Sequence, residues 1–500
     1  MTLSKSLSTK SLSTKSLSIL VAAALSGALN VSAALAAEVK PLEAPKPEPL
    51  DIPADLTEKL QALPKEKLEF ITTGKSKAYM SPKVMFDRFR NRTPAEIEAM
   101  IDAMLVLTEQ SKYHADTDPG SIPLNIESET FNAWKIKRPA ELNPKREPGP
   151  INLNRYVGRS SGIPTFAGAP IALTPEDLKA GKVDIAIVGA PLDMGSGYRG
   201  AKGGPTALRT MSGANGNDMY TMIDPTKELN VVDYGDIAID NMSTERSMEH
   251  VRSMVKEIAQ TGAIPFIVGG DHSLEYSDVA AISDVYGKGN VGVVHFDAHY
   301  DAGPDGGGHL ISHGQPIYRL IKEGHIPGKN YVQVGLRGAW PGPEAFHWMR
   351  EQGFRYHTMA EVEKKGWESV MNAAVKEARE GPKYMYISFD VDVLDPAFMP
   401  GTGTPVAGGL MMREALPIVR RLCAETNIVG FEIVEVDPLL DTTYKTALNS
   451  NYIMHACMTG IAMHRLGLTQ EHYLSPLSTD HAQTTGKTDG KVAGKKQTKE

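Results

Sequence analysis

Between about residues 161 and 470 the chain alternates short apolar runs with amphipathic stretches. VDIAIVGAP (183–191), LNVVDYGDI (229–237), IPFIVGGDH (264–272), VGVVHFDAH (291–299), YVQVGLRG (331–338), YMYISFDVDV (384–393) and IVGFEIVEVD (428–437) are nearly continuous in hydrophobicity. That pattern predicts strands buried on both faces of a parallel sheet. Between them, SMEHVRSMVKEIAQTG (247–262), MAEVEKKGWESVMNAAVKEARE (359–380) and MREALPIVRRLCAETN (412–427) carry apolar residues at helical spacing. The alternation predicts an α/β fold, three-layer α/β/α, with a doubly wound, mostly parallel sheet.

The flanks read differently. Residues 1–36 place Lys5, Lys10 and Lys15 before an apolar run that ends in small residues, with Ala34 and Ala36 at a cleavage-site spacing. This predicts a signal peptide, and hence an exported, periplasmic protein with no membrane anchor once mature. Residues 37–55 are a Pro-rich linker, and 56–160 an N-terminal extension. Within the extension, Thr93, Pro94 and Glu96 form a capping-box pattern ahead of the stripe Ile97, Met100, Ile101, Met104 and Leu105. The helix so predicted needs a partner surface, on the main domain or on another subunit. Residues 474–500 have almost no apolar content and are expected to be disordered.

Composition narrows the function. The chain has 500 residues, more than one compact core usually holds, and a net charge of −7. A basic footprint for nucleic acid is absent. Two cysteines, Cys423 and Cys457, cannot build a disulfide framework. Both lie in apolar, helix-like stretches and are expected as buried free thiols, with one disulfide open to an exported protein.

The chemistry gathers at the strand ends, where open α/β sheets bind ligands. Asp271 and His272 follow one predicted strand, and Asp297, His299 and Asp301 stand at every second position after another. Asp390 and Asp392 repeat that spacing, and Glu435 and Asp437 close a fourth strand. Period two on a strand sends side chains to one face. So many carboxylates on one rim would repel and take up protons unless cations held them apart. A donor set of four Asp and two His suits two Mn²⁺, with Ni²⁺ possible, better than Cys-rich structural zinc. Two such ions would bridge a water and lower its pKa. Asp271 and Asp395 read as structural partners, and His309 and His325 as surface residues.

GGDHS (269–273), FDAHYD (296–301), SFDVDVLDP (388–396) and IVEVDP (433–438) resemble, in order, the signature segments of the ureohydrolases, the arginase–agmatinase family. SGIPTF (161–166) resembles the start of the catalytic core in agmatinases and guanidinobutyrases, the agmatinase-like branch. The resemblance implies an arginase–deacetylase-like fold over 161–470 and hydrolysis of a guanidino C–N bond to urea and an amine. Carried over by motif, His272 and Asp301 would hold one metal, His299 and Asp392 the other, and Asp297 and Asp390 would bridge. Glu435 would pair with the substrate guanidinium, although Asp437 shares its face by spacing alone. His313 would pass a proton to the leaving amine. The implied substrate is a small cationic guanidino compound, agmatine first, with Asp305 meeting its distal ammonium; guanidinobutyrate and guanidine stay open. The resemblance also implies a homo-oligomer, trimer or hexamer. Two rival classes are a single-zinc deacetylase, which would not need His272, Asp301 and Asp392, and an exported, non-catalytic guanidino-binding protein.

Overall fold

The computed structural model describes residues 48–110, 130–137, 146–157 and 162–480. The expected signal peptide, most of the linker, and residues 481–500 lie outside them. Eight strands form one sheet: β1 (Ile185–Ala190), β2 (Val231–Asp236), β3 (Ile264–Gly269), β4 (Val291–Phe296), β5 (Tyr331–Leu336), β6 (Arg355–Thr358), β7 (Tyr384–Asp390) and β8 (Ile428–Val434). All pairings are parallel, in the order β2-β1-β3-β8-β7-β4-β5-β6. Every residue of β1, β4, β5 and β8 is buried, so helices cover both faces. The sequence pattern misses β6. It is a four-residue edge strand, Arg-Tyr-His-Thr, and an edge does not require continuous apolarity.

The topology brings the motif strands together. β3, β8, β7 and β4 are consecutive neighbours at the centre of the sheet. Val268, Ile433, Phe389 and Phe296 lie in one row across them. Each motif begins one to four residues beyond that row, so all four emerge over one short stretch of the sheet edge.

Helices follow the pattern with local corrections. The predicted 359–380 helix is two, Met359–Lys365 and Trp367–Arg379, separated by Gly366 at φ +82°. A left-handed residue there breaks the hydrogen-bond ladder. Helices Met412–Glu425 and Lys445–Arg465 pack closely where Gly460 faces Cys423; a Cβ on Gly460 would fall 2.4 Å from the Arg420 carbonyl oxygen. At this crossing Cys423 and Cys457 are joined as a disulfide, not left as free thiols, with Cα atoms 5.4 Å apart.

Three further expectations change. The helix Pro94–Gln110 has its capping box, with the Thr93 N–H donating to Glu96 Oε2 at 2.8 Å and the Glu96 N–H to Thr93 Oγ1 at 3.3 Å. Its stripe closes a small helical core of its own, with Leu60, Phe70, Ile71, Met85 and Phe89. Residues 474–480, expected within the disordered tail, are structured: the Ser475 N–H donates to the Tyr220 carbonyl at 2.8 Å, and Pro476–Thr479 is a helical turn. Backbone pairing holds this segment where apolar content does not. His325 is buried, 4% exposed, edge-on to Tyr276. No helix among the described residues is long and apolar enough to cross a membrane.

Candidate metal centre

The candidate ligands do not share one strand face, as their period-two spacing predicted, yet they converge. β4 ends at Phe296 and β7 at Asp390. Asp297, His299 and Asp301 lie on the turn beyond β4, and Asp392 in a 3₁₀ turn, Val391–Val393. Asp301 has φ +46° and Glu435 φ +63°. Left-handed backbone is disfavoured for side chains with a Cβ, and it concentrates at functional sites where surrounding structure enforces it. Here it turns the two carboxylates inward.

His272 is fully buried. Its Nδ1 lies 3.0 Å from Asp297 Oδ2, 3.1 Å from Asp301 Oδ2 and 3.1 Å from Asp390 Oδ2. Its Nε2 meets Ser388 Oγ at 2.7 Å. His299 Nδ1 lies 2.9 Å from Asp392 Oδ2 and 3.3 Å from Asp297 Oδ1. Two groups of potential metal ligands result: His272, His295, Asp297 and Asp301, and Asp297, His299 and Asp392. Asp297 belongs to both. Asp390 flanks the first, and its Oδ1 accepts the Asp392 N–H at 2.8 Å.

The donor set fits divalent cations. One ring nitrogen carries at most one hydrogen, so His272 Nδ1 cannot satisfy three carboxylates, and it makes no well-formed hydrogen bond. Burial, reinforced by neighbouring carboxylates, raises the pKa of Asp390 and Asp301, and brings Asp392 up to about 6. Asp297 is also buried, but the imidazoles of His272, His295 and His299 around it outweigh that and hold it well below the usual carboxylate range. Lone pairs and carboxylate oxygens crowded in this way are what a shared cation would relieve.

Glu435 and His313 complete the rim. Glu435 Oε1 accepts the His272 N–H at 3.0 Å and lies 3.3 Å from His313 Nδ1. Burial opposes charge on His313, but Glu435 overcomes it and lifts the imidazole pKa to about 9. Asp437 is turned elsewhere. It accepts the Leu439 N–H at 2.9 Å, and its carboxylate sits where a Cβ on Gly200 would fall. Asp271 is a brace, accepting the Gly195 N–H at 2.7 Å and the Ser273 N–H at 3.0 Å. Gly270 lets that strand end cross Leu192; a Cβ there would lie 1.8 Å from the Leu192 carbonyl oxygen.

A cleft of about 260 Å³ opens over the cluster, lined by His299, Asp301, Asp390, His313, Trp340 and Thr404 among others. Asp305 does not line it. It is exposed and accepts the Gly308 N–H of its own loop at 3.0 Å, which corrects the inward placement expected from sequence. A larger hollow of about 500 Å³ beside Arg155 and Ala167 has, among the described residues, no histidine or carboxylate in its lining. Sequence reasoning missed His295 and Trp340. His295 was hidden inside an apolar strand. Trp340 stands on the loop after β5, its ring 6.0 Å from that of His299, and no motif marks it.

Residues 183–460 match the model of the arginase family. The chain is 36% identical over 295 residues to mitochondrial agmatinase of Gallus gallus, covering 59% of this chain and 84% of that one. It is 36% identical over 320 residues to guanidinobutyrase of Pseudomonas aeruginosa, covering 62% and 98%. A solved structure of a hypothetical agmatinase from Burkholderia thailandensis superposes with a TM-score of 0.55 at 31% identity, covering 65% and 100%. With the eight-stranded parallel sheet and the Asp/His cluster on its central edge, these likenesses place the chain in the arginase family, as a hydrolase of the ureohydrolase type.

Proposed function

We propose that the protein hydrolyses agmatine to putrescine and urea at a centre of two Mn²⁺ ions. The observation that carries this reading is the placement of His313 in the lining of the cleft over the His272–Asp297–His299 cluster, with the buried Glu435 carboxylate 3.3 Å behind its Nδ1. Glu435 offers a buried carboxylate to a guanidinium fork. His313, held protonated by Glu435, can release a proton to the departing amine. His272, Asp297, His299, Asp301, Asp390 and Asp392 would hold the cations. Bound there, two divalent ions would activate water as a nucleophile at neutral pH. The largely oxygen donor set supports Mn²⁺, and the same ligands accept Ni²⁺.

The tail of the substrate is read from the cleft. Among the described residues its lining has no Arg or Lys to hold a carboxylate, which favours a cationic tail over arginine and guanidino acids. Trp340, 61% exposed, offers an aromatic face to a cationic tail. Trp340→Ala is expected to raise KM for agmatine about 5-fold, from a cation–π contact of about 1 kcal/mol, with kcat little changed. An equal change for free guanidine, which has no tail, would remove Trp340 from recognition. Urea release from agmatine, 4-guanidinobutyrate, guanidine and arginine in parallel tests the substrate itself. Urea from none of them, by chain carrying two metals, would reject the agmatine reading in favour of another guanidino substrate or a binding role.

His313 gives a pH signature. Its raised pKa keeps the acid form populated at neutral pH and loses it as pH rises through about 9. His313→Asn is expected to lower kcat about 10²–10⁴-fold and to abolish that alkaline limb in the rate profile.

Export and assembly belong to the same proposal. The buried Cys423–Cys457 disulfide suits an oxidising compartment such as the periplasm. A native chain whose mass begins at Met1 would contradict a cleaved leader. Assembly as a trimer or hexamer rests on the family likeness, and solution mass measurement decides it.

A further inference from the structure

Glu275 stands behind the ligand cluster and His295 at its edge, within reach of the first ligand group but outside the four signature segments. Both are fully buried. The first turn of helix Leu274–Tyr286 presents Glu275, and β4 presents His295. His295 Nδ1 lies 3.3 Å from Glu275 Oε1, and its Nε2 3.1 Å from Asp297 Oδ2. Its ring stacks on that of His272, with centroids 4.8 Å apart and planes 4° from parallel. The imidazole is therefore held at both nitrogens and on one face.

The far end of this line is Asp297, the residue common to both ligand groups. Asp297 Oδ1 accepts the His299 N–H at 2.5 Å, and Oδ2 faces His272 and His295. A rotation of this one carboxylate would be felt by both groups at once. Burying Glu275 has a cost, since its Oε2 has no hydrogen-bond partner, and apolar packing would explain an aliphatic residue there better than an acid.

We propose that Glu275 and His295 form a positioning pair that aims the Asp297 carboxylate, and so sets how tightly the cluster holds divalent cations. This rests on the reading of the cluster as a metal centre. Groups that orient metal ligands in this manner typically change affinity 10–100-fold when removed.

The test counts metal, not turnover. Full-length protein is loaded with Mn²⁺ and dialysed against graded chelator, and bound metal per chain is measured. Melting of the metal-free form is followed separately. Glu275→Gln and His295→Asn are expected to lose metal at about 10–100-fold lower chelator than wild type, and Glu275→Asp to recover part of the difference. Their metal-free melting temperatures should stay close to wild type. The double variant should be no worse than the weaker single, because the two residues act in series. Wild-type metal retention in both single variants would overturn the proposal. So would a fall in metal-free melting with unchanged retention, which marks a packing role. If Glu275→Gln does not fold, His295→Asn decides alone. A wild-type chain that takes up neither Mn²⁺ nor Ni²⁺ defeats the metal-centre reading and this proposal with it, and is told apart because no chain then carries metal.

Discussion

Asp297→Ala is expected to lower urea release by at least about 10³-fold and to reduce bound metal at both positions of the cluster. The reason is geometric. Among the described residues, Asp297 is the one residue in both ligand groups, facing His272 through Oδ2 and His299 through Oδ1. Asp301→Ala removes a residue of one group only, and should leave one metal bound. Elemental analysis alongside the urea assay separates the two. If Asp297→Ala retains two metals per chain, Asp297 is not needed as a bridge and Asp390, the other expected bridge, holds them alone.

Glu435→Gln is the second large effect. The buried carboxylate would lose its charge while keeping its shape. Breaking one side of a buried, hydrogen-bonded charge pair costs about 2–5 kcal/mol, so kcat/KM for agmatine should fall at least about 30-fold. The fall should appear for every guanidino substrate, because Glu435 addresses the guanidinium and not the tail. Asp437→Asn is the control. Its carboxylate braces the Leu439 N–H beneath Gly200, so its loss should lower the melting temperature more than the catalytic constants. A larger kinetic effect at Asp437 than at Glu435 would exchange their assignments.

The six inner strands were legible because burial on both faces demands unbroken apolarity, and that demand is visible in a linear string; β2, at the other edge, was legible because its first four residues are buried. β6 was not, because an edge strand is spared that demand. The Thr93–Glu96 capping box was readable for the same local reason, since both partners lie within one turn. The surface that its helix covers was not readable, because Phe70, Met85 and Phe89 are contacts at a distance along the chain.

The site shows the same division. Residue types and their order named His272, Asp297, His299, Asp301, Asp390 and Asp392, and the structure gathers all six. They do not share a strand face: turns beyond the strand ends carry most of them, with left-handed φ at Asp301 and at the neighbouring Glu435. Asp305 was misplaced because a Gly-rich loop satisfies its own amides, and the Gly308 N–H takes that carboxylate. His295 and Glu275 escaped notice because nothing in an apolar run announces that two buried polar groups will meet 20 residues apart.

By itself, then, the sequence determined the α/β class, the strands, and the chemical inventory of the site, since hydrophobic period and residue type are properties of short segments. Only the tertiary structure decided that β3, β8, β7 and β4 would lie side by side, that Glu435 and not Asp437 would face His313, and that Cys423 would meet Cys457. Those outcomes depend on strand order and on backbone turns between distant segments, and no local pattern encodes either.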